Sequence, residues 1–164
     1  MSLFSKNRKH SIRVAVDVDL TKYTGVWYEI ARFPNTFEKG LKCVSAEYSL
    51  RADGRITVLN KGHKLNDPGI VKQARGLAWL PDPAVTAKLK VRFFWPFAGN
   101  YWIIFLDATY RFVLVGDPSY KYLWVLSRTK IMEADDYRLL CEKAEENGFD
   151  TARLMKVEQD CNSI

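Results

Sequence analysis

From residue 25 to residue 128 the chain alternates short apolar-rich runs with clusters of turn-forming residues. The runs are Gly25–Phe33, Cys43–Leu50, Arg55–Lys61, Lys72–Trp79, Ala87–Phe94, Tyr101–Asp107, Tyr110–Val115 and Tyr122–Arg128. Between them stand Phe37–Gly40, Ala52–Gly54, Asn66–Gly69, Pro81–Pro83, Pro96–Asn100, Ala108–Thr109 and Asp117–Lys121. Several runs have period two. Val44, Ala46, Tyr48 and Leu50 oppose Cys43, Ser45, Glu47 and Ser49, and Leu89, Val91 and Phe93 oppose Lys88, Lys90 and Arg92. Such alternation means one buried face and one wet face. Eight runs with short connections predict an all-β, antiparallel up-and-down barrel, which leaves no sheet edge exposed.

One segment has a different period. From Glu133 to Asn147, Tyr137, Leu140, Cys141 and Ala144 recur at helical spacing, and Gly148 follows as a stop. This predicts one C-terminal amphipathic helix laid on the outside of the barrel. Phe149 to Val157 then reads as an extended tail or last strand. The barrel domain is expected over residues 19–164, preceded by a basic extension and lead-in over residues 1–18.

Charge narrows the function classes. Net charge is +6, but Lys6, Arg8, Lys9 and Arg13 precede the first acid, Asp17. The rest of the chain is close to balanced, which argues against a nucleic-acid partner. The basic head reads as a solvated terminus. No apolar stretch is long enough to span a bilayer, and Met1–His10 lacks the apolar core of a signal peptide. Either the protein is made without one, or an export segment has been removed.

No constellation for catalysis stands out. The two histidines are His10, in the basic head, and His63, after the third run. Neither is placed by the sequence beside a nucleophile and an orienting acid. No Cys-x-x-Cys or His-x-x-x-His metal spacing occurs, and no cofactor is implied. The expected chemistry is burial without reaction. By strand parity the inward residues are Ala31, Val44, Ala46 and Tyr48 from the first two runs, Val58 and Asn60 from the third, and Ala74 and Ala78 from the fourth. Val91, Phe93 and Trp124 complete the set. The alanines make room, and the aromatic residues make walls.

Two motifs carry a resemblance. Tyr23-Thr24-Gly25-Val26-Trp27-Tyr28-Glu29 resembles the first signature of the lipocalins, and Tyr122-Leu123-Trp124-Val125-Leu126-Ser127-Arg128 resembles the third. In that family Trp27 would close the barrel floor, with Gly25 allowing the tight entry and Arg128 stacked on the indole. Phe33-Pro34-Asn35-Thr36-Phe37-Glu38-Lys39-Gly40-Leu41, Ser45 to Leu50 and Phe93-Phe94-Trp95-Pro96-Phe97 resemble the bacterial outer-membrane lipocalins and apolipoprotein D. The second signature departs from pattern, reading Leu106-Asp107-Ala108-Thr109-Tyr110. There Asp107 and Tyr110 take the family's places with altered spacing.

The resemblance implies a carrier of one small lipophilic ligand, a fatty acid or lysophospholipid, serving membrane lipid maintenance. The alternatives are haem, a bilin or a retinoid, or an enzyme acting on a bound lipid. It implies a Cys43–Cys161 disulfide, hence an oxidising compartment, either periplasmic or at the outer membrane. It further implies membrane association through an N-terminal anchor that this chain lacks, and a homodimer supported by the aromatic run Phe93–Phe97. Phe37 and Leu41 are expected on a lid loop, with Lys39, Lys42 and Lys61 as cations at the mouth. Some members of the family use a cysteine inside the barrel as a nucleophile. Cys141 lies in the outer helix and does not match it.

Overall fold

In the computed structural model, residues 11–94 and 97–162 are described. A single helical turn, α1 (Leu20–Tyr23), leads into β1 (Gly25–Arg32). Seven strands follow: β2 (Leu41–Leu50), β3 (Ile56–Lys64), β4 (Val71–Trp79), β5 (Lys88–Phe94), β6 (Phe97–Leu106), β7 (Phe112–Gly116) and β8 (Leu123–Ser127). Then come α2 (Ala134–Glu146), a 3₁₀ turn at Thr151–Arg153 and β9 (Met155–Lys156). Each strand from β2 to β8 pairs antiparallel with the next, and β1 pairs with both β8 and β2. The eight strands therefore close into a barrel.

Closure is incomplete along one seam. β2 pairs with β1 only from Gly25 to Tyr28, whereas β8 pairs with it up to Arg32. The tail fills the gap. β9 pairs with Ala31 and Arg32. The Gln159 side-chain amide donates to the carbonyls of Glu29 and Val44, at 2.8 and 2.9 Å. Cys161 is joined to Cys43 across a sequence separation of 118. These contacts satisfy the backbone groups that the splayed strands leave open.

Two apolar clusters result. One fills the lower barrel around Trp27, Tyr48, Val58, Ile103 and Val115. The other lies between the barrel wall and α2, where Leu140 and Ala144 are fully buried against residues such as Leu114, Leu123 and Phe149. Tyr137 and Cys141, on the same expected helix stripe, are only half-buried.

Three expectations need correction. Residues 97–100, expected within a turn, are strand: β6 already begins at Phe97, which pairs with Phe94 across an irregular register. The lead-in is no solvated tail from Ile12 onward. Ile12 packs beside α2, the Ala15 amide donates to the Ile103 carbonyl at 2.9 Å, and Val18 is buried. The extended tail is interrupted by the 3₁₀ turn, capped by the Asp150 carboxylate. His10, Lys6, Arg8 and Lys9 lie outside the described residues, as do Trp95 and Pro96 of the aromatic run.

Candidate functional site

The floor is built first. Gly25 opens β1 at φ 100°, a conformation L side chains rarely adopt, and a Cβ there would stand 3.2 Å from the Arg128 guanidinium. That guanidinium covers the buried Trp27 ring, 3.8 Å from its centroid. It also donates to the carbonyls of Tyr110, Val26 and Lys22, at 3.2, 3.1 and 2.9 Å. The Trp27 indole N–H donates to the Tyr23 carbonyl at 2.9 Å. In the altered second signature, the Asp107 carboxylate receives Thr109 and Arg111, and the Tyr110 hydroxyl accepts from the Asp19 amide. Burial alone would raise the Asp107 carboxyl, but these bonds outweigh it and hold it down at about 2.

Above the floor lies a cavity of about 100 Å³ with a mainly apolar wall. That is room for about three water-sized groups, at roughly 30 Å³ each. Val44, Ala46, Tyr48, Val58, Asn60, Ala78, Val91, Phe93 and Trp124 all line it. Three residues expected there do not. Ala31 is turned outward by a β-bulge between Glu29 and Ala31, and it packs in the cluster under α2. Ala74 is half-buried and does not line the cavity, while two residues along the same strand the Phe93 ring comes within 2.7 Å of where a Gly76 Cβ would stand. Phe37 is 67% exposed and rests on Tyr122, with ring centroids 6.2 Å apart.

The lysines also sit elsewhere. Lys42 is tied to Asp160 of the tail at 2.9 Å. Lys61 is exposed on the face opposite Asn60, and Lys39 is exposed on the loop. Among the described residues lining the cavity there is no Lys, Arg, His or Cys.

Parity missed Ser45, Ile56, Leu89 and Leu126 on the lining, and with them the charged and phenolic residues. Glu29 lines the cavity and is buried, as is Arg32. Arg32 points back at Glu29 only because the bulge restores its inward direction, and it donates to that carboxyl at 3.0 Å. It also donates to the Glu38 carbonyl at 2.9 Å. The Glu38 carboxylate accepts from the Trp124 indole at 2.8 Å and from Asn35 at 3.1 Å. Burial pushes the Glu29 carboxyl well above the usual range. The neighbouring Glu38 charge and a hydrogen bond to Glu38 push the same way, against Arg32. One arginine thus serves two carboxyls, and burial beside Glu38 favours the protonated form of Glu29. Tyr23, Tyr48 and Tyr101 join hydroxyls at the lower end, and burial raises all three. The signal for the upper group was Glu29 and Arg32 inside an otherwise apolar run.

His63 is bound to the Pro68 carbonyl at 2.7 Å, away from the cavity lining. Cys141 lies on α2, and burial raises its thiol, the reverse of an activated nucleophile. Cys43 and Cys161 lie near Asp160 in the arrangement of a metal cluster, but their sulfurs are spent on the disulfide.

The family model for a lipocalin-like domain matches residues 18–159. Outer membrane lipoprotein Blc of Vibrio cholerae is 42% identical over 150 residues, covering 91% of this chain and 87% of that protein. Apolipoprotein D of Macaca fascicularis is 33% identical over 154 residues, covering 90% and 80%. Among solved structures, insecticyanin of the tobacco hornworm Manduca sexta superposes with a TM-score of 0.71 at 21% identity, covering 90% and 84%. That last likeness concerns the fold.

Proposed function

The chain belongs to the lipocalin family, and from that premise we propose that it carries one small lipophilic ligand, a fatty acid or lysophospholipid, in its barrel. The observation that carries this reading is the cavity itself, walled by Val44, Ala46, Val58, Ala78, Val91 and Phe93 above a sealed floor. Burying a methylene is worth about 0.8 kcal/mol, so each carbon the chamber takes in adds to binding before association costs. A charged head stays in water at the mouth, because the described residues of the lining offer it no cation and burial would be costly. Selection between similar apolar chains is weak in such a site.

Two observations support a compartment. The Cys43–Cys161 bridge fits an oxidising environment, and the Vibrio relative is named an outer membrane lipoprotein. We place the protein at the outer membrane or in the periplasm, where a carrier of loose acyl chains would serve membrane maintenance. Membrane flotation and light scattering test attachment and pairing of two copies.

Native mass spectrometry of the purified protein tests ligand carriage. The expected result is an adduct of fatty-acid or lysophospholipid mass that organic extraction removes and added lipid restores. A single unliganded mass that no added lipid shifts contradicts the reading, and a coloured adduct would replace it with a pigment carrier.

A further inference from the structure

Three tyrosine hydroxyls meet at the closed end of the cavity. The Tyr101 hydroxyl lies 2.6 Å from that of Tyr23 and 3.0 Å from that of Tyr48. Tyr23 rests on Trp27, with ring centroids 5.1 Å apart, so the group sits directly on the floor. All three residues line the cavity. Each hydroxyl owns one hydrogen and can also accept. Two oxygen–oxygen contacts consume two of the three hydrogens, whichever way each points. One hydrogen is left over, and among the described residues no further acceptor meets these hydroxyls. An unmade hydrogen bond in an apolar chamber is costly, so an acceptor placed there is favoured.

We infer that the floor is a subsite for an uncharged hydrogen-bond-accepting oxygen, a keto or hydroxyl group on the buried end of the ligand. The preferred lipid is then an oxygenated chain rather than a plain hydrocarbon one. This deepens the carrier reading above and rests on it. Removing one tyrosine hydroxyl does not abolish the subsite, since the two that remain still leave at least one spare hydrogen. Removing all three does, and replacing a whole network by apolar groups of the same shape is close to neutral for stability.

The test compares binding of decanoic acid and its 9-oxo derivative by the wild type and by the triple variant Tyr23→Phe/Tyr48→Phe/Tyr101→Phe. A parallel arm with the 9-hydroxy acid separates keto from hydroxyl recognition. The wild type should bind the oxo acid at least as tightly as decanoic acid, despite its better hydration in water. In the triple variant the oxo acid should weaken relative to decanoic acid by roughly tenfold or more, with decanoic acid still bound as the control for an intact cavity. Wild type that binds decanoic acid but rejects both oxygenated acids overturns the subsite and leaves the carrier reading standing. Wild type that binds none of the acids overturns both. The wild-type ratio alone decides the matter if the triple variant does not fold.

Discussion

The guanidinium carbon of Arg128 stands 3.8 Å from the centre of the Trp27 ring, joining the last barrel strand to the first. The same group reaches the carbonyls of Lys22, Val26 and Tyr110. Arg128→Ala removes a cation–π contact and charge-assisted hydrogen bonds together, and is expected to cost about 2–4 kcal/mol. Arg128→Lys should rescue little, since an ammonium cannot both stack and fan out to several carbonyls. Urea unfolding of the three proteins checks this.

Glu29 gives stability an unusual pH dependence. The unfolded chain releases this proton near 4.5, whereas the folded protein holds it to much higher pH. A group with a raised folded value contributes fully below its unfolded value and loses that contribution as pH rises through the folded one. Glu29→Gln reproduces the protonated group, accepting from Arg32 and donating to Glu38. Its stability should exceed the wild type's increasingly above pH ~4.5 and match it below. Glu29→Ala instead removes one acceptor from the buried Arg32, which keeps Glu38 as its counter-charge, and should cost about 1–3 kcal/mol. Melting temperatures across pH separate the variants.

The bulge at Glu29–Ala31 also shows where the sequence stopped being informative. Strand parity placed Ala46, Tyr48, Val58 and Val91 on the cavity wall because each is paired in register with its neighbouring strand there, and Val44 lines it although the β2–β3 register shifts between Lys42 and Ser45. It misplaced Ala31 because one extra residue in β1 exchanges the two faces, and nothing in Ile30-Ala31-Arg32 announces that. It passed over Glu29 and Arg32 because charged residues in a strand read as solvent-facing. Here each is buried by pairing with the other. The disulfide was legible only through resemblance. Gln159, which bridges the carbonyls of Glu29 and Val44, carries no local pattern at all. The barrel and its outer helix, by contrast, follow from period two and period 3.6 alone.

The tail is a structural part of the seam. Cys43→Ser/Cys161→Ser opens a loop of more than a hundred residues, for which chain entropy predicts a loss of up to ~4.7 kcal/mol. Reduction of the wild type should give the same loss in urea midpoint. A midpoint unchanged by reductant would show that the bridge contributes nothing to stability.

Trp124 should report the ligand. Its ring lines the cavity, is stacked on Tyr122 with centroids 5.6 Å apart, and is held by Glu38. Trp27 is shielded beneath Tyr23, while Trp79 and Trp102 carry Arg92 and Lys88. Added decanoic acid is expected to shift tryptophan emission, and Trp124→Phe should abolish most of that shift.

Ala46 lines the cavity and pairs with Trp27 on one side and Asn60 on the other. Calorimetric titration with lysophospholipid or fatty acid of the wild type and of Ala46→Phe, whose ring fills the chamber, bears most directly on the interior as the binding place. The wild type should bind one lipid per chain, and the folded variant should lose at least tenfold in affinity, as several methylenes are excluded. Equal affinity in both proteins would put the lipid outside the barrel.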